Sequence, residues 1–135
     1  MLAPIILFAF NRLDSLKNTI QSLSQNEESQ NSDLYVFVDG ARLGKPGEDE
    51  KVKAVQEYVK RIKGFKSLNY TFCDRNKGLG NSIIQGVSQV INQFGKAIVL
   101  EDDLVFAKNF LSYMNQGLDK YKEENKAQLH KSVAI

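Results

Sequence analysis

Short strand-like runs alternate strictly with segments whose apolar residues fall three or four positions apart, and this alternation constrains the fold more than any other feature. The runs are 4–10 (PIILFAF), 34–40 (LYVFVDG), 67–73 (SLNYTFC) and 96–100 (KAIVL). Each is too short for a helix. The apolar, β-branched and aromatic content of the first, second and fourth suits strands covered on both faces. After the first run, Leu13, Leu16, Ile20 and Leu23 mark one helix face, with Asp14 and Ser15 where a helix should begin. A polar connection, 26–33, separates this helix from the second run. Val52, Val55, Val59 and Ile62 repeat the helical spacing after 41–50 (ARLGKPGEDE). Ile83, Ile84, Val87, Val90, Ile91 and Phe94 do so after 74–82 (DRNKGLGNS). Phe110, Met114, Leu118 and Tyr121 form the last such stripe. Four strand–helix units in series predict an α/β fold: a mostly parallel sheet, helices on both faces, right-handed crossovers.

At 135 residues the chain suits a single domain with a real core. Eighteen basic and sixteen acidic residues leave a formal charge of +2, too little to argue for nucleic acid or a membrane surface as partner. No apolar run approaches the ~20 residues of a membrane span. The segment 3–13 (APIILFAFNRL) has no basic leader and no long apolar centre, so it reads as a strand and not as a signal peptide. The lone Cys73 suits a reducing compartment, and a cytoplasmic location is expected. The closing residues SVAI (132–135) look like the opening of a fifth strand. They suggest the N-terminal part of a longer protein, with a short edge strand as the alternative.

The distinctive polar residues collect at strand ends. The first run leads into Asn11-Arg12, the second into Asp39-Gly40, the third into Asp74-Arg75-Asn76-Lys77-Gly78 and the fourth into Glu101-Asp102-Asp103. In an open parallel sheet all four ends share one rim, where ligands bind. Three adjacent carboxylates repel one another unless a cation relieves them. Hard oxygen ligands suit Mg2+ or Mn2+, held through one or two carboxylates and substrate phosphates. The alternative is that Asp102 or Asp103 caps the next helix. Gly78 and Gly80 allow either a phosphate at a helix start or a plain glycine turn. Arg12 suits a phosphate or solvent, and Asp39-Gly40 a ribose, a base edge or an ordinary turn.

Taken in order, these motifs resemble the donor-binding half of a GT-A glycosyltransferase of the family 2 type. They are most similar to the β-1,2-N-acetylglucosaminyltransferase I group. The resemblance runs from about Pro4 to Tyr121 and is carried by FAFNR (8–12), VFVDG (36–40), NKGLGNS (76–82) and, most specifically, VLEDDL (99–104), a Glu-Asp-Asp form of the Asp-x-Asp metal motif. It implies a Rossmann-like nucleotide-diphospho-sugar transferase fold. It also implies transfer of a sugar, with inversion, from a nucleotide diphosphate such as UDP to a hydroxyl of a carbohydrate acceptor. It places Phe10, Asn11, Arg12, Asp39, Asn76, Lys77, Gly78, Glu101 and Asp102 at the donor and Asp103 on Mn2+ or Mg2+. By the same resemblance Arg12 neutralises the diphosphate, Asp39 grips the nucleoside and Asp102 meets the ribose or donor sugar. Glu101 supports that geometry. By the same resemblance the catalytic base lies downstream of the metal motif and is expected beyond Ile135; Glu123, Glu124 and His130, in polar helix-end or loop sequence, are the last ionisable residues before it and are not expected to serve. Where many family 2 members carry Asp-Asp-Gly-Ser, this chain has Asp39-Gly40-Ala41-Arg42.

Three other classes are weighed. A sugar-phosphate nucleotidyltransferase would show a long basic, glycine-rich loop after the first strand, where FNRLDS (10–15) stands. A receiver-type domain would carry its acidic pair after strand one. A non-catalytic donor-binding fragment would show the same motifs as an enzyme. Phe8, Phe10, Tyr35, Phe37 and Phe72 are expected in the core. Lys60, Arg61, Lys63 and Lys66 are expected on a solvated face, and Cys73 to be buried and inert.

Overall fold

Every residue of strand β1 (Ile5–Ala9) is buried, because the strand has an apolar layer on each side. Ile5, Leu7 and Ala9 enter one cluster, and Ile6 and Phe8 enter the other. This period of two is that of a pleated strand covered on both faces. The structure, a computed structural model, describes residues 1–124 and 132–134, with side chains described through Tyr121. The side chains of Glu123 and Glu124, and all of His130, therefore lie outside the described residues.

The remaining strands are β2 (Asp33–Val38), β3 (Ser67–Phe72), β4 (Lys96–Glu101) and β5 (Ser132–Ala134). They form one sheet in the order β3-β2-β1-β4-β5, and every neighbouring pair is parallel. Ser132–Ala134 thus supply the expected fifth strand, at an edge. The helices are α1 (Leu13–Ser24), α2 (Glu48–Val59), α3 (Leu79–Phe94) and α4 (Phe110–Glu124). Leu16, Leu23, Val55, Val59 and Leu111 belong to one cluster, so α1, α2 and α4 cover one face. Val90 and Ile91, with Ile83, Val87 and Phe94 against them, place α3 on the other. The α/β architecture with helices on both faces is the one expected.

Several expectations change in detail. The β1–α1–β2 and β4–α4–β5 connections step in opposite directions across the sheet with their helices on the same face, so only one of them can be right-handed. α4 is held on the α1 side by hydrogen bonds: Asn26 Oδ1 accepts from the Leu111 amide (2.9 Å), and Asn115 Oδ1 from the Ala3 amide (2.8 Å). Its buried face is Leu111, Asn115 and Leu118, and Tyr121 is half exposed. α1 begins at Leu13 with Arg12 as its capping residue and no side-chain cap, and Asp14 lies in the first turn. Of the expected core aromatics only Phe8 and Phe37 are fully buried; Phe10 and Phe72 pack against one cluster and Tyr35 against the other.

A buried polar stripe on α1 and just beyond it fixes the segment after β4. Thr19 Oγ1 donates to the Leu104 carbonyl (2.6 Å), Ser22 Oγ accepts from the Phe106 amide (3.0 Å) and Asn26 Nδ2 donates to the Ala107 carbonyl (3.1 Å). Leu104 and Val105 themselves are exposed. The segment is therefore held by its backbone and by Phe106, which packs on the core and stacks on Phe110 (centroids 4.2 Å apart), and not by Leu104 or Val105. Asn26→Ala removes the shared partner of α1, this segment and α4 and leaves buried groups unpaired. It is expected to lower stability by about 3 kcal/mol in urea unfolding.

Candidate functional site

The strand order reverses at β1. From β1 the chain moves outward through β2 to β3, then returns beneath the sheet through α3 to β4 on β1's other side. The loops leaving β1 and β4 therefore diverge in sequence yet meet in space, and a crevice at such a reversal is where open α/β sheets bind ligands. A cavity of about 300 Å³ occupies this place. Phe10, Asn11, Arg12, Asp39, Asn76, Gly78, Glu101 and Asp102, eight of the ten residues expected at the site, line it. Lys77 and Asp103 do not.

Arg12 closes the crevice on the β4 side. Its Nη2 lies 3.0 Å from Asp102 Oδ1 and 3.8 Å from Asp103 Oδ2. The Asp102 side chain is buried at 8% exposure, while that of Arg12 is 57% exposed and lines the cavity. Burial raises the Asp102 carboxyl above the ordinary aspartate range. The Arg12 charge and hydrogen bond pull it down, and the neighbouring Asp103 pushes it up again. Asp103 is partly exposed at 43%. Among the described residues no three acidic, histidine or cysteine side chains converge as a metal cluster would. The acids therefore offer one or two hard oxygen ligands. That donor set fits Mg2+ or Mn2+ completed by phosphate and water, and it does not fit an all-protein cage.

Asp39 closes the opposite side by tying two loops together. Its Oδ1 accepts from the Gly40 and Lys77 amides (both 2.9 Å) and its Oδ2 from the Gly78 amide (3.0 Å). Asn76 Nδ2 answers with a bond to the Gly40 carbonyl (2.9 Å). The loops are so close that a Cβ on Gly40 would fall 2.5 Å from the Arg75 carbonyl carbon. Gly78 begins α3 at φ 81°, a conformation that favours glycine, whereas Gly80 sits inside the helix with open space around it. The Lys77 and Gly78 amides are engaged by Asp39 and are not free for an anion. The Lys77 ammonium bonds Gln85 Oε1 at 2.9 Å. Cys73 is half buried, and burial pushes its thiol pKa up, as suits an inert cysteine.

Sequence reasoning does not find Arg42 as a site residue, yet it lines the cavity. Its Nε donates to both carboxylate oxygens of Glu48 (3.0 and 3.2 Å), and its guanidinium lies 5.6 Å from the Phe10 ring centroid. Glu48 opens α2 and is buried, and the Arg42 hydrogen bond holds its carboxyl below the usual range. The only hint in the sequence is that Arg42 stands where the family 2 pattern has a small residue. Phe8, Phe37, Leu79 and Ser82 also line the cavity, and their strand and helix spacing marks them only as packing residues.

Fold, reversal and acidic rim define an open α/β domain with a ligand-binding crevice at its strand reversal, and comparison with known proteins gives the family. Residues 5–125 match the family described as Glycosyl transferase family 2, so the chain belongs to that family. Among solved structures, TarS from S. aureus superimposes with a TM-score of 0.63 at 15% sequence identity, which supports the GT-A fold. The match covers 90% of this chain and 20% of TarS, so the chain spans about one fifth of that protein's length. No curated protein matches the sequence. The narrower likeness to the β-1,2-N-acetylglucosaminyltransferase I group is not reproduced in these matches. No helix among the described residues is long and apolar enough to cross a membrane.

Gly40→Ala should force the two loops apart, because the clash is with backbone and no rotamer relieves it. The expected cost is about 2 kcal/mol in thermal unfolding, with faster amide exchange at Lys77 and Gly78.

Proposed function

We propose that this domain binds a nucleotide-diphospho-sugar, with a UDP-sugar as the donor, and serves an inverting glycosyltransferase reaction on a carbohydrate acceptor. The observation that carries the reading is the meeting of Arg12, Asp102 and Asp103 beside the cavity, at the strand reversal of a family 2 chain. Asp103, the more exposed acid, holds Mn2+ or Mg2+, and when bound the ion stabilises charge on the leaving diphosphate. Arg12, with one nitrogen on Asp102, turns its remaining donors to the phosphates. Asp102 keeps that guanidinium in place, and Glu101 borders the sugar side of the cavity. Asp39 acts on the nucleoside chiefly by holding the loop that carries Asn76 and Gly78 against Gly40. The catalytic base and acceptor pocket belong to chain beyond Ile135, and the whole functions in the cytoplasm. The sequence VLEDDL supports the finer kinship with the N-acetylglucosaminyltransferase I group.

Calorimetry with UDP tests the reading. Affinity is expected to fall at least about tenfold when Mn2+ is omitted, and about as far in Asp103→Asn with Mn2+ present. Equal affinity with and without the ion contradicts it. The pH dependence has a definite sign. Because the folded Asp102 carboxyl titrates above the ordinary range, ion-dependent binding should weaken as pH falls through a point above that range. Asp102→Asn should lose this inflection. Folding follows the opposite sign. The folded state binds this proton more tightly than the unfolded chain, so the buried charge costs stability at neutral pH, and acidification relieves that cost.

A further inference from the structure

Ser82 stands out in the cavity wall because its hydroxyl is buried and answers to nothing. The residue is 8% exposed, and its Oγ has no hydrogen-bond partner. Serines in helices ordinarily bond a carbonyl three or four residues back. Ser22 does so to Thr19 (2.9 Å) and Ser24 to Gln21 (2.8 Å). Ser82 makes no such bond: its Oγ leaves the carbonyls of the preceding turn to the backbone amides alone. An unpaired buried hydroxyl is a standing cost that a ligand bearing a polar edge removes.

Its position says which part of a ligand that is. One turn further along α3, Gly86 lies against the Phe8 and Phe37 rings, and a Cβ there would sit 3.0 and 3.1 Å from them. Those rings stack with centroids 5.5 Å apart and line the same cavity as Ser82. The part of the wall where α3 meets β1 and β2 thus sets the unanswered Ser82 hydroxyl beside two aromatic rings. The charged groups that suit a diphosphate, Arg12 and Asp102, lie at the β1–β4 side. With the phosphates anchored there, the part of a nucleotide that reaches an apolar wall and still carries hydrogen-bonding atoms is its base.

We infer that Ser82 Oγ hydrogen-bonds the nucleobase of the donor and completes the nucleoside end of the site. This rests on the nucleotide-binding reading above. Ser82 also lines a smaller space of about 190 Å³ with Cys73 and Gln85, so a buried water is the structural alternative. The two roles move different measurements. In the ligand role, Ser82→Ala leaves the melting temperature of the free protein unchanged or raises it, since it deletes an unsatisfied group. In the water-holding role the substitution lowers it.

The test is calorimetry with Mn2+ and the tightest binder among UDP, CDP, GDP and ADP, beside Mn2+ with inorganic pyrophosphate, which has no base. Ser82→Ala is expected to weaken the nucleotide about five- to tenfold and to leave pyrophosphate unchanged. Ser82→Cys, close in volume and a weak hydrogen-bonding group, should show the same ordering if the alanine variant folds poorly. Undiminished nucleotide binding in both variants overturns the assignment alone. So does an equal loss for nucleotide and pyrophosphate with a lowered melting temperature. A wild-type protein that binds none of the four nucleotides overturns this inference and the nucleotide reading together.

Discussion

One ion pair joins the two halves of this fold. Arg12 follows the first strand and Asp102 the fourth, ninety residues apart, yet they meet at 3.0 Å because the chain turns back beneath the sheet between β3 and β4. Without that reversal the β4 acids would sit at the far side of β3, next to nothing basic from β1. The pairing also resolves the difficulty of three adjacent carboxylates. Asp102 is buried against the guanidinium, Asp103 is left partly open beside it, and Glu101 ends the strand facing the cavity. Burying a charge is tolerable only when it is paired, and here the partner is itself half in solvent and able to serve a second anion.

The other side of the crevice is built by backbone. Asp39 gives both carboxylate oxygens to amides of the neighbouring loops, and Gly40 lets the chain at Arg75 pass where no Cβ would fit. The site therefore has a charged, partly exposed half at β1 and β4, and a half fixed by hydrogen bonds at β2 and β3. Arg42 bridges them, braced by buried Glu48 and the Phe10 face. Such an arrangement suits a ligand with one strongly charged end and one end read by shape.

The fold was legible because apolar spacing decides it. The unbroken apolar runs of β1 and β2 and the spacing of three to four in α1, α2 and α3 are direct consequences of which faces must be dry. The rim was legible for the same topological reason, and eight expected residues line one cavity. What stayed hidden depends on partners distant in sequence. Thr19 and Ser22 on α1, and Asn26 in the polar connection after it, carry no sign in the sequence of their bonds to 104–111. Lys77 looks like a phosphate ligand, but its amide belongs to Asp39 and its ammonium to Gln85. Arg42 and Glu48 are six residues apart across a loop, a spacing with no helical or strand meaning. The placement of α4 on the α1 face rests on Leu111 and Leu118 in that core and on two hydrogen bonds that no periodicity encodes.

Diffraction from crystals grown with Mn2+ and UDP tests the central claim most directly, because manganese is identified by its own anomalous signal. The account predicts a peak about 2.1 Å from an Asp103 carboxylate oxygen, shared with diphosphate oxygens, and the Arg12 guanidinium turned onto the phosphates. Ordered nucleotide in the cavity with no metal peak at Asp103, or a metal peak elsewhere on the chain, would contradict it.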